Sequence, residues 1–296
     1  MIVAAEEVAP AAQLACLLEA SARKPGNVSP TRHFHDTRYE DFLASAAAIG
    51  AAMAGAGARP LGETIRRAVE ATRRWTTSNT NLGMVLLLAP LARAALTIAP
   101  GGGVRTIAEA LRRRVREVIA ETTVEDAAEL YAAIRLARPG GLGKVDAEDV
   151  STRPTVTLAE AMRLAAGRDG VAREYATGFA ATFEVGAPAL RRARGGGGAD
   201  ALPWDDAVVE TYLALLAAAP DTLVARKLGA EPAAEVSRRA RAVLDAGGMR
   251  SGSGRLAAAD FDRELRDERN TRNPGTTADL TAAAIYVVLL EGGWRG

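Results

Sequence analysis

Apolar residues in this chain recur at helical spacing, in segments that proline or glycine separates, and this punctuation constrains the fold more than any other feature. The last long segment shows the rule. It opens with Asn273-Pro274-Gly275-Thr276-Thr277-Ala278-Asp279-Leu280, residue types suited to a helix N-terminus. Leu280, Ala283, Ala284, Val287 and Val288 then follow the i, i+3, i+4, i+7, i+8 spacing of one buried face. The same reading predicts a first helix over 7–22, stopped by Arg23-Lys24-Pro25-Gly26, and helices over 39–56, 60–75 and 84–96. Two more follow near 104–120 and 123–137, with Thr122 or Thr123 as the cap of the second, and another begins near Thr157. A long helix over 169–194 carries Gly178 in its interior. Helices over 204–218, from Asp221, over 231–246 and over 256–269 complete the series.

Aromatic residues make up only 4% of the chain while alanine is abundant, as a helical core of small side chains requires. The expected fold is all-α, one compact bundle of about a dozen helices with functional loops at helix N-termini. We expect one domain over 1–296, with Gly195-Gly196-Gly197-Gly198 as an exposed loop.

Charge narrows the function classes. Lys and Arg number 37 against 36 Asp and Glu, so no global field recruits nucleic acid or an anionic membrane. No run of roughly eighteen apolar residues suggests a membrane span. Glu6 and Glu7 stand where a signal peptide would be basic, and the lone Cys16 fits a reducing compartment, so the expectation is cytoplasmic. A homo-oligomer is left open.

Local clusters must therefore carry the chemistry. The loop Asn27 to Asp36 holds both histidines, His33 and His35, and its Lys24, Arg32 and Asp36 company suits an anion or metal site as well as an ordinary polar connection. Thr76-Thr77-Ser78-Asn79-Thr80-Asn81 precedes an apolar helix with more hydroxyl and amide groups than one cap needs. Such a cluster suits phosphate or ribose hydroxyls beside free N–H groups, and Gly275 offers close backbone approach at another helix start. Asp279, one turn inside, either holds a cation or complements the helix dipole. Asp221 and Thr222 read as a cap, with Arg226 and Lys227 at the helix's basic end.

Taken in order, Lys24-Pro25-Gly26, His35-Asp36 with Phe42 and Ser45, Asn79-Thr80-Asn81 with Gly83, Glu174 with Gly178-Phe179, Asp221-Thr222-Leu223 with Arg226, and Pro274-Gly275 with Ala278-Asp279-Leu280 form a set. The set resembles the triphosphoribosyl-dephospho-CoA synthase family over nearly the whole chain. The resemblance implies an all-helical, Mg²⁺-dependent transferase in which the 2′-hydroxyl of dephospho-CoA attacks C1′ of ATP and adenine leaves. It implies Lys24, Gly26, Arg226 and Lys227 near phosphates, and Asn79, Thr80, Asn81, Gly275 and Thr276 around triphosphate or ribose. It also implies Asp221 and Asp279 on Mg²⁺, with Asp36, His35 and Glu174 as unranked candidates for base or acid. Ser29 stands where the family usually has Asp, and Asn273 and Thr276 flank Pro274-Gly275 where Ser and Gly are usual. A related transferase with another acceptor, a Mg²⁺-dependent nucleotide hydrolase and a nonenzymatic helical interaction protein are the competing readings.

Overall fold

The structure is a computed structural model and describes residues 3–98, 106–139, 148–195 and 201–295. Among these residues the regular structure is helical, with a single isolated bridge between Ser29 and Arg32. The first half comprises α1 (Ala5–Ser21), α2 (Tyr39–Ala48), α3 (Gly50–Ala54), α4 (Leu61–Arg73), α5 (Leu82–Thr97), α6 (Ile107–Ala120) and α7 (Val124–Ala137). The second comprises α8 (Leu158–Ala165), α9 (Gly170–Thr177), α10 (Ala187–Arg194), α11 (Trp204–Ala218), α12 (Thr222–Leu228), α13 (Ala230–Asp245), α14 (Gly252–Leu265) and α15 (Gly275–Leu290).

Two helices form the axis. In α5 and α15 almost every side chain is apolar or small, so neither can leave a face in water. They pack on each other, and α1 lies across both. The spacing in α15 suggested one buried face; residues 281–290 are instead buried on all sides, because α1, α5, α10 and α11 surround them. Each fully enclosed Val, Leu or Ile there contributes about 1.5–3 kcal/mol of burial. Around α5 stand α4 and α6, with α7 against α4; around α15 stand α10 and α11, with α13 and α14 beyond. One continuous apolar cluster runs from Val8 on α1 to Leu290 on α15. No single helix among the described residues is long and apolar enough to cross a membrane.

Helix starts follow local polar chemistry. Thr106, Thr123, Thr157, Asp169, Asp221 and Ser251 each accept a backbone N–H in the first turn of α6, α7, α8, α9, α12 and α14. Thr123 is the cap of α7, while Thr122 instead accepts from Ala159 N and ties α8 to the end of α6.

Two predicted helices are broken. The segment over 39–56 divides at Ile49 into α2 and α3. The segment over 169–194 ends at Thr177, because Gly178 and Phe179 both adopt positive φ, 65° and 61°. A Cβ on Gly178 would lie 2.2 Å from Arg116 Nε, so the guanidinium of α6 occupies the space a longer residue would need. The chain then restarts as a π-helical turn, Ala181–Gly186, that runs into α10. The glycine run expected as an exposed loop lies outside the described residues beyond Gly195.

Candidate active site

The N-terminal ends of α5, α9, α12 and α15 meet at one place. Gly170 N, opening α9, donates to Thr222 Oγ1 at 2.9 Å, and Thr222 Oγ1 bonds Thr276 Oγ1 at 3.1 Å, joining α12 to α15. The fourth end, α5, is brought in by Gly83: a Cβ there would lie 2.0 Å from Asp279 Oδ2. Glycine alone lets the carboxylate rest against the first turn of α5. Helix N-termini carry partial positive charge, so their convergence favours an anion in front of them.

A cleft of about 680 Å³ opens at this junction. Its polar end holds Asn79, Asp169, Arg226, Lys227, Gly275 and Asp279; the loop residues Phe34, His35 and Asp36 form part of its rim. Its far end runs between α7 and α8 over Leu130, Ile134 and Met162.

Asp279 is the distinctive group. Its carboxylate makes no hydrogen bond or ion pair among the described residues, and it lines the cleft. Burial pushes its carboxyl well above the ordinary aspartate range. Glu19, Asp221 and Asp169 push the same way, against the opposing pull of Arg226. A cation placed here would relieve all of these. Beside it, Arg226 pairs with Asp169 at 2.8 Å and keeps a buried Nε without a partner. Lys227 donates to Asn270 O at 3.2 Å, and burial lowers its ammonium's pKa.

The structure brings most of the expected residues together. His35, Asp36, Asn79, Thr80, Asn81, Arg226, Lys227, Gly275, Thr276 and Asp279 all line the cleft. The polar run before α5 is largely committed to internal bonds. Asn79 Oδ1 accepts from Leu82 N, Thr80 Oγ1 bonds Ser45 Oγ at 2.5 Å, and Asn81 Nδ2 donates to Thr72 Oγ1 at 3.0 Å. Its excess over one cap therefore pins the turn to α2 and α4. His35 Nε2 and Asp36 Oδ2 lie 3.8 Å apart on the exposed rim.

Four expected residues stand elsewhere. Lys24 is buried and turned from the cleft: its Nζ sits 3.0 Å from Glu19 Oε1 and donates to the carbonyls of Glu19 and Ala22. A phosphate cannot reach it. Gly26, at φ 76°, serves packing, since a Cβ would press on Leu265 and Pro274. Glu174 is buried at the start of the π-helical turn, where it accepts from Ala181 N, Thr182 N and Thr182 Oγ1. Its carboxyl is raised by burial, and it does not line this cleft. Asp221 has both oxygens occupied: Oδ1 accepts from Leu223 N and Val224 N, Oδ2 from Thr277 N and Thr277 Oγ1. A carboxylate with four donors in place has no lone pair to offer a metal.

Two contributors, Glu19 and Asp169, escaped the sequence reading, and a third, Gly83, stood in the motif set without a role of its own. Glu19 lines the cleft with Oε2 buried and unpartnered; its position four after Ala15 and three after Cys16 puts it on the buried face of α1, a signal that was available. Asp169 reads as a cap from its place before Gly170-Val171-Ala172, but its second role, holding Arg226, joins residues 57 apart in sequence. Gly83 looks like any helix glycine until Asp279 is placed against it.

Among the described residues no three His, Cys, Asp or Glu side chains form a closed metal cage. A Mg²⁺ ion fits the donor set in another way, since it commonly binds through one or two carboxylates plus substrate phosphates and water. Asp279 is the carboxylate free to do so.

Residues 5–296 match the CitG family, described as ATP:dephospho-CoA triphosphoribosyl transferase. A candidate 2-(5''-triphosphoribosyl)-3'-dephosphocoenzyme-A synthase of Pseudomonas aeruginosa is 34% identical over 140 residues, 46% of each chain. A protein of the same description from Pseudomonas paraeruginosa is 32% identical over 163 residues, 54% of this chain and 53% of that one. The matched segments thus span about half the length of these relatives. The crystal structure of a candidate triphosphoribosyl-dephospho-CoA synthase from Archaeoglobus fulgidus superposes with a TM-score of 0.63 at 30% identity, covering 84% of this chain and 99% of that one.

Proposed function

The chain belongs to the ATP:dephospho-CoA triphosphoribosyl transferase family, and from that membership we propose that it displaces adenine from ATP and transfers the triphosphoribosyl group to the 2′-hydroxyl of 3′-dephospho-CoA. In this reaction the acceptor oxygen forms a bond to C1′ of ATP, the C1′–N9 bond breaks, and the hydroxyl proton leaves as adenine gains one. The triphosphate remains on the transferred ribose.

The observation that carries the proposal is the unpartnered Asp279 carboxylate at a junction of helix N-termini, beside Arg226 and Lys227. A triphosphate laid there meets positive helix ends and two basic side chains. Asp279 is the residue to hold Mg²⁺ against it, and the ion, when bound with ATP, supplies neutralisation of phosphate charge. Glu19 and Lys24 keep the floor beneath rigid through their buried pair. Charge building at C1′ in the transition state is offset by the acidic surroundings that Glu19 and Asp279 share. His35 and Asp36, at the rim, are placed to take the proton of an acceptor hydroxyl entering from that side.

Mass spectrometry of the purified protein with ATP, Mg²⁺ and dephospho-CoA tests this directly. Free adenine together with a triphosphoribosyl adduct of dephospho-CoA is the expected result. Adenine without the adduct would mean that water or another acceptor takes the ribose, and phosphate release without adenine would make the protein a nucleotide hydrolase.

A further inference from the structure

Buried side-chain polar atoms without a hydrogen-bond partner are few among the described residues, and Glu19 Oε2 is one that belongs to a residue lining the cleft. Folded proteins satisfy nearly all such atoms, so each exception needs a physical reason. This one is the most demanding, because it belongs to an ionisable side chain in a residue only 2% exposed.

The ion pair with Lys24 does not meet the need. Lys24 Nζ lies 3.0 Å from Glu19 Oε1 and also donates to the carbonyls of Glu19 and Ala22. An ammonium has three N–H groups, so none is left for Oε2.

Packing sets Glu19 beside Asp279. α1 lies across α5 and α15, and Glu19, Gly83 and Asp279 all line the cleft where the three helices meet. Gly83 admits the Asp279 carboxylate to the first turn of α5. Cys16, three residues before Glu19 on the buried face of α1, has the charges of both Glu19 and Asp279 acting on it. Of the charges that act on Asp279, that of Glu19 ranks first, ahead of Asp221 and Asp169.

Three partners could reconcile two such carboxylates. A ligand hydroxyl brings one proton and satisfies one oxygen. A proton shared between them offsets one charge. Beyond the Glu19–Lys24 and Asp169–Arg226 pairs, however, Asp221 and Asp279 both lack an ion pair among the described residues, and a dication offsets two charges at once. Mg²⁺ also approaches a carboxylate oxygen to about 2.0–2.1 Å, nearer than water can, which suits an oxygen as enclosed as Oε2.

We infer that Glu19 is the second carboxylate of a divalent-cation seat at the α1–α15 contact, with Glu19 Oε2 and the Asp279 carboxylate on one ion and Lys24 on the other oxygen of Glu19. The inference rests on the proposed function through Asp279 and deepens it, since it adds a ligand from α1, on the opposite side of the sequence.

Titration of Mn²⁺ into the full chain without nucleotide, with free Mn²⁺ read by electron paramagnetic resonance, tests it. Wild type is compared with Asp279→Asn and with the Glu19→Gln/Lys24→Met double variant, which removes both charges so that no buried ion is stranded. Loss of even an outer partner costs about 10–100-fold in metal affinity, so each variant should bind Mn²⁺ at least about tenfold more weakly. Glu19→Asp, which keeps the charge opposite Lys24 but draws the carboxylate back, is a further variant with the same expected loss. Melting in Mg²⁺ alone gives a second readout, taken against each protein's own metal-free value: a rise in wild type and little or none in the variants. Wild-type Mn²⁺ affinity in the double variant overturns the inference, and so does a wild type that takes up no Mn²⁺, the result expected of two carboxylates that only share a proton. If wild type forms the triphosphoribosyl adduct while Mn²⁺ binding ignores Glu19, only this inference falls. If Mn²⁺ binding needs both carboxylates but wild type releases no adenine, the proposed function falls and the seat stands.

Discussion

Asp221 and Thr277 are locked together across the junction of α12 and α15: Asp221 Oδ2 accepts from both Thr277 N and Thr277 Oγ1, each at 2.7 Å. The other oxygen caps α12 through Leu223 N and Val224 N, so one buried carboxylate fixes the starts of two helices.

The asparagine substitution isolates this function. Asp221→Asn keeps the size but turns one acceptor oxygen into an NH₂ group facing backbone or hydroxyl donors. Buried, unsatisfied donors cost about 1–3 kcal/mol, so the variant should unfold at lower denaturant by that amount. Urea denaturation monitored by circular dichroism reads it. Stability equal to wild type, together with a lost Mg²⁺ requirement, would return Asp221 to the metal site.

Lys24 offers a companion case. It is the ion-pair partner of Glu19, and both are almost wholly buried. Burial raises the Glu19 carboxyl while Lys24 draws it back down. Lys24→Ala should therefore cost about 3–5 kcal/mol by stranding a buried charge. Adding Glu19→Gln should recover most of that loss. A double-mutant cycle by chemical denaturation measures the coupling, and a Lys24→Ala variant of normal stability but weakened ATP affinity would place Lys24 on the phosphates after all.

The contrast between these residues and the cleft shows what sequence can carry. Helix periodicity and caps are local, so the segments at Thr157 and over 204–218 are legible, as is the helix start at Pro274-Gly275. Which polar residue faces a ligand is not local. Lys24, Glu174 and Asp221 have the right chemistry for a nucleotide site, yet each is consumed by a partner that only the fold brings near: Glu19 for one, the π-helical turn for the next, Thr277 for the last. Arg226 and Asp279 have equally ordinary sequence surroundings, yet Asp279 has no partner among the described residues and Arg226, though paired with Asp169, keeps its Nε without one. The break at Gly178 was hidden too, since the positive φ of Gly178 and Phe179 that ends α9 appears only in the fold.

Asp279 should trade stability for function. Its folded carboxyl binds a proton more tightly than the ordinary value of 3.8, because burial and the charges of Glu19, Asp221 and Asp169 oppose ionisation. A raised value means that the group's contribution is fully present below 3.8 and is lost as pH rises through the folded value. At neutral pH the wild type bears this cost and Asp279→Asn does not. The variant should melt higher than wild type at neutral pH, the gap should close in acid, and adenine release should be abolished. Thermal melts across the pH range with a parallel turnover assay decide it; a gap of the same size in acid and at neutral pH would show that ionisation is not its source.

Gly83→Ala tests whether the position of Asp279 matters apart from its charge. Alanine is a better helix former than glycine, so α5 itself should tolerate the change in its first turn. The new methyl would lie 2.0 Å from Asp279 Oδ2, inside van der Waals contact, and the carboxylate must move away from the first turn of α5. A displacement on the order of 1 Å at a reacting site can cost about 100-fold in rate. The variant should therefore keep its fold and melting temperature while adenine release falls by about that factor. Full activity in Gly83→Ala would mean that the carboxylate works equally well from a shifted position, and the reading of α5's N-terminus as part of the triphosphate seat would fail with it.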